Sequence, residues 1–190
     1  MKRLLLILIL TMSLQSWTKA DDISDFEIEG ISIGDSLLDY FSEEEIKDNQ
    51  KNYYNNDEII PVYIIEDKFE NYYGIQFHYK KNDKNYIIIG ISGAIMFENN
   101  INNCKKKQNE IVKSITKMFP NASFFEGESP HGQDKTGKSM IYTKSFELKS
   151  GHEVSVDCYD WTKKMNYPDH LRVSLLTKDL INFVTTKAYK

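Results

Sequence analysis

Hydrophobic and polar residues alternate along several short stretches of the chain, as they do in strands with one buried face. The residues Ile75, Phe77 and Tyr79 alternate with polar neighbours, and a polar turn then leads into a second apolar run. A further hairpin is predicted around the turn Ser150-Gly151. Because Pro61 lacks an amide donor, its run is predicted as an edge strand or as one that begins at the proline. The predicted strands cover 59–66, 75–80, 86–97, 140–148, 154–161 and 171–175.

One long amphipathic helix is predicted over 101–119. Its apolar residues recur at helical spacing, three consecutive lysines fall on its polar side, and Pro120 marks its end. Shorter helices are predicted near 34–41, 43–49 and 178–187, the first two beside a serine and an acid at capping-box spacing. Tight turns and helices before, between and after the strands predict an α+β fold. In this fold the long helix packs on a mainly antiparallel sheet, and short helices lie at both ends.

The first twenty residues have the layout of a secretory signal peptide. A short cationic start precedes an unbroken aliphatic run at 4–10, and small residues stand third-last and last before Asp21. The run is far shorter than the ~20 residues that a membrane-spanning helix needs. We therefore expect cleavage near Ala20 and a periplasmic or secreted protein without a stable membrane anchor. Its mature part, 21–190, is expected to form a single domain.

The charge of the chain argues against some classes of binding partner, and its composition indicates the kind of source organism. The net charge of −4 becomes −7 when the three leader cations are removed, so we expect no general attraction to nucleic acid or anionic lipid. Nearly all basic residues are lysines, since Arg3 and Arg172 are the only arginines. Abundant Asn, Ile, Tyr and Phe are typical of an AT-rich genome, which favours a bacterial source.

Cys104 and Cys158 are the only cysteines, and an oxidising compartment favours a single disulfide between them. Helical spacing places Cys104 on the buried stripe of the long helix. Strand alternation places Cys158 on the same face as Val154 and Val156. Both sulfur atoms are therefore predicted to point into the core where helix and sheet meet. Two buried free thiols are the alternative.

Residues 34–37, Gly-Asp-Ser-Leu, resemble the first block of GDSL-type esterases, whose serine is the nucleophile. That family also uses an Asp-x-x-His pair near the C-terminus and a Gly-x-Asn-Asp element, and this chain has neither. A serine hydrolase that uses Ser36 is therefore the alternative function. The preferred interpretation is a helix start in which Ser32 is the cap and Asp35 meets the helix dipole. The predicted buried face of this helix comprises Ile33, Leu37, Leu38 and Phe41.

Residues 132–139 match the pattern of a phosphate-binding loop. Such a loop needs a helix at its end to direct backbone amides at the phosphates, whereas the residues that follow, 140–146, are typical of a strand. The preferred interpretation is a polar surface loop between two strands.

Polar residues in this loop and near the end of the chain are weak candidates for a site. Glu128, His131 and Asp134 recur every three residues and could ligate a metal, but solvated side chains are the preferred interpretation, and no metal or cofactor is predicted. Trp161 could form a binding platform or pack under the C-terminal helix. The candidates for ligand binding are His131, Asp134, Lys138, Tyr159, Asp160, Trp161 and Arg172.

Residues 28–38 and 157–161, together with 104–108 and 137–139, resemble stretches of small secreted proteins of AT-rich bacteria. The resemblance implies secretion, but this group provides no activity, cofactor or catalytic residue to carry over. It also implies that the GDSL and Gly-Lys-Ser strings lie in a different context from the enzymes they imitate. The sequence thus predicts an exported, non-catalytic module that binds a small ligand or an envelope protein.

Overall fold

The structure is a computed structural model that describes residues 22–190, so the predicted signal peptide lies outside the described residues. Seven strands and three α-helices make up this part of the chain. In chain order they are α1 (Glu43–Asp48), β1 (Ile59–Ile64), β2 (Gly74–Lys80), β3 (Gly90–Glu98), α2 (Ile101–Met118), β4 (Ser123–Pro130), β5 (Met140–Glu147), β6 (Glu153–Asp160), β7 (Asp169–Leu176) and α3 (Lys178–Thr186). Within residues 22–190 no helix combines the length and the apolar character that crossing a bilayer requires.

All seven strands belong to one antiparallel sheet with the order β1-β2-β3-β7-β6-β5-β4. The sheet consists of two meanders, β1 to β3 and β4 to β7, which join where β3 pairs with β7. Between the meanders, α2 carries the chain from the centre of the sheet to its far edge and packs against β3, β7 and β6. The predicted α+β class and antiparallel sheet are therefore confirmed, and the sheet dominates the fold.

One face of the sheet is apolar and is covered everywhere except at the exposed edge strand β4. The helix α2 covers the β6 and β7 half, where Ile115 packs with Val156 and Val173 in one core. The N-terminal segment 22–48 covers the β1 to β3 half, and the ring of Phe41 meets that of Phe77 edge-on with centroids 5.6 Å apart. This covered face holds most of the apolar area buried on folding, which is the main source of stability.

A disulfide and a pair of side-chain hydrogen bonds hold α2 to the sheet in addition to apolar packing. Cys104 and Cys158 form the predicted disulfide, with their Cα atoms 6.0 Å apart. One turn along the helix, the buried amide of Gln108 donates hydrogen bonds of 2.7 Å to the carbonyl groups of Tyr142 and Val156. The helix is therefore fixed to both β5 and β6.

The opposite face of the sheet is covered only at one end, by α3. Leu180 of this helix sits directly over Gly90 of β3, where a methyl group in place of the glycine hydrogen would overlap the leucine side chain. Glycine at this position is what lets the helix approach the strand so closely. The remainder of this face, towards β6 and β7, stays open and forms the site described below.

Apart from the ends of elements, where the start of β3 at Gly90 instead of Tyr86 is the largest shift, two sequence predictions differ from the structure. Strand β4 was not predicted, because this exposed edge strand carries no apolar alternation. The helix predicted near 34–41 is a single 3-10 turn at Leu37–Asp39 capped by Ser36 rather than by Ser32, and Leu38 is 44% exposed instead of buried. By contrast, the capping box of Ser42 is present at the start of α1.

Candidate functional site

Ser92 and Ala94 of β3 lie on the floor of a depression on the open face of the sheet, and their neighbours on β7 and β6 are equally short. Ser92 of β3 and Ser174 of β7 are register partners, and their hydroxyl oxygens are 2.9 Å apart in a hydrogen bond. Ser155 of β6 pairs with Ser174 on its other side, and Ala94 lies one step further along this face of β3. Because these residues are small, they leave room above the strands at the point where the two meanders join.

Aromatic and amide side chains rise around this floor and enclose a cavity of about 920 Å³. The loop before β1, the β4–β5 turn, the segment between β6 and β7 and the C-terminal end of the chain all contribute to the walls. The neutral amides in the lining are Asn52, Gln76 and Gln133. The tyrosines in the lining are Tyr53, Tyr54, Tyr63, Tyr159, Tyr167 and Tyr189.

Ring contacts stiffen the wall on the β6 and β7 side. The rings of Tyr159 and His170 are stacked with centroids 4.5 Å apart and planes 9° apart. Trp161 contacts His131 at 4.2 Å and Tyr167 at 4.9 Å between centroids, and it is only 9% exposed. Trp161 therefore lies on the cavity side, away from α3, and braces the wall instead of presenting an open ring.

Among residues 22–190, Arg172 is the only Lys, Arg, Asp or Glu side chain that lines the cavity. It lies between Ala94 of β3 and Asp157 of β6 in the sheet register, and its guanidinium carbon is 5.2 Å from the centroid of the Tyr159 ring. Within residues 22–190 the guanidinium makes no hydrogen bond and no ion pair. The neighbouring carboxylate of Asp157 instead accepts a hydrogen bond of 2.9 Å from Ser155. The charge of Asp157 acts on Arg172 only through space, so the N–H groups of the guanidinium remain available to an anion that enters the cavity.

The two histidines of the wall add no positive charge at neutral pH. Burial lowers the pKa of His170 to about 4, helped by the charge of Arg172 and opposed by the hydrogen bond to the carbonyl group of Pro168. Burial and Arg172 also lower the pKa of His131, against the pull of Asp134. Arg172 is therefore the single formal charge in the lining, and its field acts on the histidines around it.

The structure brings together four of the seven residues that the sequence suggested for binding. His131, Tyr159, Trp161 and Arg172 all line the cavity. The other three candidates, Asp134, Lys138 and Asp160, do not line it. Of these, Lys138 is exposed on the β4–β5 turn, and Asp160 ends β6 opposite Met140.

Several lining residues gave no sequence signal that pointed to a site. Tyr53 and Tyr54 lie in a polar loop, and His170 belongs to no ligand spacing. The density of tyrosine just before β1 was the one available hint, since exposed aromatic residues often mark binding surfaces.

Asp134 organises the β4–β5 turn that contains the glycine-rich string. Its buried carboxylate accepts hydrogen bonds from the amides of Thr136 and Ser139, at 2.9 and 3.0 Å, and from both of their hydroxyl groups. These hydrogen bonds lower the pKa of Asp134 well below its usual range. Strand β5 begins at Met140, immediately after the string, so no helix follows it. The turn is the inter-strand loop that the sequence predicted.

Replacing Asp134 by alanine should lower the melting temperature by several degrees, because the backbone amides of Thr136 and Ser139 lose their acceptor. Lys138→Ala should change the free energy of unfolding by less than about 0.5 kcal/mol, since that side chain is exposed and makes no ion pair in the described part of the chain. Thermal melts of both variants, with and without ATP and magnesium, provide the measurement. A melting temperature that ATP raises in the wild type but not in Lys138→Ala would contradict the loop assignment.

The three residues considered for a metal do not form one site. The exposed Glu128 lies on β4 beside a smaller cleft of about 360 Å³ that it shares with Lys105 of α2, whereas His131 lines the large cavity. The carboxylate of Asp134 is already hydrogen-bonded to the backbone of its own turn. Among residues 22–190, no group of three or more His, Cys, Asp or Glu side chains is arranged to hold a metal ion.

Ser36 lies apart from the cavity and serves as a cap. Its hydroxyl group donates a hydrogen bond of 2.6 Å to the carbonyl group of Asn85 and accepts one of 3.2 Å from the amide of Leu38. Within the described residues no histidine or carboxylate is hydrogen-bonded to it. A serine nucleophile needs such a base to remove its proton.

Comparison with protein-family models, with curated proteins and with solved structures finds no match to the chain.

Proposed function

We propose that the chain is an exported, non-catalytic protein that binds a small anionic ligand in the cavity around Arg172. The observation that carries this proposal is the guanidinium of Arg172, which makes no hydrogen bond in the described part of the chain and lies in a lining to which residues 22–190 contribute no acid. Such a charge forms strong hydrogen bonds with a carboxylate or a similar anion, each shorter and stronger than those between neutral groups.

The shape of the site favours a small molecule over an envelope protein as the ligand. A concave cavity of about 920 Å³, with mainly aromatic walls and a few polar groups, falls within the size range of small-molecule sites. Protein partners generally need a larger and flatter contact area. The floor of the cavity lies on hydrogen-bonded strands and stacked rings brace one of its walls, so this part of the site is formed before the ligand arrives.

Export is supported by the signal-peptide layout of residues 1–20 and by the disulfide between Cys104 and Cys158, which is typical of oxidising compartments. The alternative, a serine hydrolase that uses Ser36, has less support. Its serine donates to a backbone carbonyl group, and no base contacts it among residues 22–190.

The proposal predicts that at least one small anion raises the melting temperature of the wild-type protein. The same anion should leave the melting temperature of Arg172→Gln unchanged. A suitable panel consists of acetate, glucuronate, 1-naphthylacetate, phosphate and sulfate, measured by scanning fluorimetry. Because Arg172 makes no hydrogen bond in the free protein, its replacement should preserve the fold while binding is lost.

Ser36→Ala is the matched control, since it lies outside the cavity and should respond to anions as the wild type does. A panel that shifts neither protein, or that shifts Arg172→Gln as much as the wild type, would refute the assignment of the site.

A further inference from the structure

The single charge in the cavity limits the kind of anion that it can neutralise. Resting on the proposed function, we infer that the ligand is a ring-bearing monocarboxylate, with its carboxylate on Arg172 and its ring against the aromatic walls. Four features of the lining support this assignment: its charge, the geometry of the guanidinium, the exposed tyrosine rings and the neutral amides.

The charge of the lining favours an anion with one negative charge. A phosphate monoester carries about −1.5 to −2 at neutral pH. Its second charge would find no cation, because Arg172 is the single cation that residues 22–190 contribute to the lining. It would also find no helix N-terminus, since no residue from the first turn of α1, α2 or α3 lines the cavity. A carboxylate, with one charge, is neutralised by the one guanidinium.

The placement of the guanidinium favours a planar acceptor. Arg172 lies 5.2 Å from the Tyr159 ring, and that ring is itself stacked on His170. The ring contacts hold the cation in place, while all of its N–H groups lack acceptors within residues 22–190. A carboxylate accepts two parallel hydrogen bonds from such a planar fork.

The tyrosine rings around Arg172 favour a ligand that contains a ring. Tyr53, Tyr167 and Tyr189 are 49%, 52% and 63% exposed, so their faces are available for stacking. A flat aromatic ring or the C–H face of a sugar ring fits such a surface.

The neutral amides of Asn52, Gln76 and Gln133 can donate to or accept from substituents on that ring. The shared chemistry is therefore a carboxylate on a ring, and an aromatic acid and a sugar acid are its two sources.

Calorimetric titration of the oxidised, exported protein tests this inference. The aromatic arm compares 1-naphthylacetate with its neutral amide, 1-naphthylacetamide, and with 1-naphthyl phosphate. The saccharide arm compares glucuronate with glucose, and acetate represents a carboxylate without a ring. In one arm we expect the ring-bearing carboxylate to bind at least about tenfold more tightly than its neutral counterpart and than acetate. If 1-naphthylacetate binds, we also expect its affinity to be higher than that of 1-naphthyl phosphate. Arg172→Gln should abolish the preference, and Arg172→Lys should restore only part of it.

A second readout reports directly on the neutralised charge. When a carboxylate occupies Arg172, the positive field on His170 is reduced, so an NMR titration should show the imidazole pKa rising on binding. Acetate or 1-naphthyl phosphate binding as tightly as the ring-bearing carboxylates, still in an Arg172-dependent way, would overturn this inference and leave the anion-binding function intact. If no anion binds, or if Arg172→Gln binds as the wild type does, both proposals fail.

Discussion

Reduction of the disulfide between Cys104 and Cys158 is expected to lower the free energy of unfolding by about 4 kcal/mol. The two cysteines are separated by 54 positions, and opening so long a loop restores much conformational freedom to the unfolded chain. The bond also joins α2 to β6 on the covered face, where both cysteines are fully buried. Urea unfolding of the oxidised protein, the reduced protein and the double serine variant provides the measurement.

The reduced wild-type protein separates the effect of the bond from that of packing. It keeps both sulfur atoms and therefore nearly the same buried volume, whereas the double serine variant also buries two hydroxyl groups. We expect the reduced protein to lose most of the stability and to show a steeper dependence on urea, because its unfolded chain is more expanded. Equal stability of the oxidised and reduced proteins would contradict the prediction.

The covered half of the molecule could be predicted from the sequence because its residues repeat with the period of their element. Cys104 and Ile115 mark the buried stripe of α2, and Val154 and Val156 mark one face of β6. The edge strand β4 has no such period, since its two exposed phenylalanines are followed by charged and small residues. Its place in the sheet comes from pairing with β5, a tertiary contact that overrides the weak local preference.

The cavity was harder to predict, because its floor depends on the register between distant strands. Ser92 and Ser174 are 82 positions apart, and nothing in either strand alone indicates that their hydroxyl groups meet. The same register places Arg172 beside Ala94, whose small side chain leaves the guanidinium uncovered. A pattern of alternation can assign a side chain to a face but cannot identify its neighbours across the sheet.

The two sequence motifs that resemble those of enzymes lie in structural surroundings that differ from the ones those enzymes need. The serine of the Gly-Asp-Ser-Leu string caps a short turn, and the Gly-Lys-Ser string forms a hairpin loop around Asp134. In both cases polar side chains satisfy backbone groups that would otherwise be unpaired. The same residue types in the same order thus perform a structural role here.

Acidification from pH 7.5 to pH 5 is expected to destabilise the protein through His78. Burial, together with the charge of Arg172, lowers the pKa of His78 to about 3, against about 6.5 in the unfolded chain. Between these values the unfolded state binds the proton and the folded state does not. The contribution of His78 to the free energy of unfolding is therefore fully present above about pH 6.5. It is lost as the pH decreases towards 3, by up to about 1.4 kcal/mol per pH unit. Urea unfolding at several pH values between 7.5 and 5 measures the slope.

His78→Gln should flatten this slope, and Tyr54→Phe is the matched control. The hydroxyl group of Tyr54 and the amide of Gln76 each lie 3.0 Å from Nε2 of His78, so both variants disturb the same buried cluster. Only the first variant removes the titrating ring. Tyr54→Phe should therefore lose stability at every pH and still retain the wild-type slope, with His170 contributing equally to all three proteins. The half-buried Glu153 and the buried Asp157 and Asp169, whose pKa values are raised, likewise contribute equally to all three proteins. An unchanged slope in His78→Gln would show that this histidine is not the group that senses the acid.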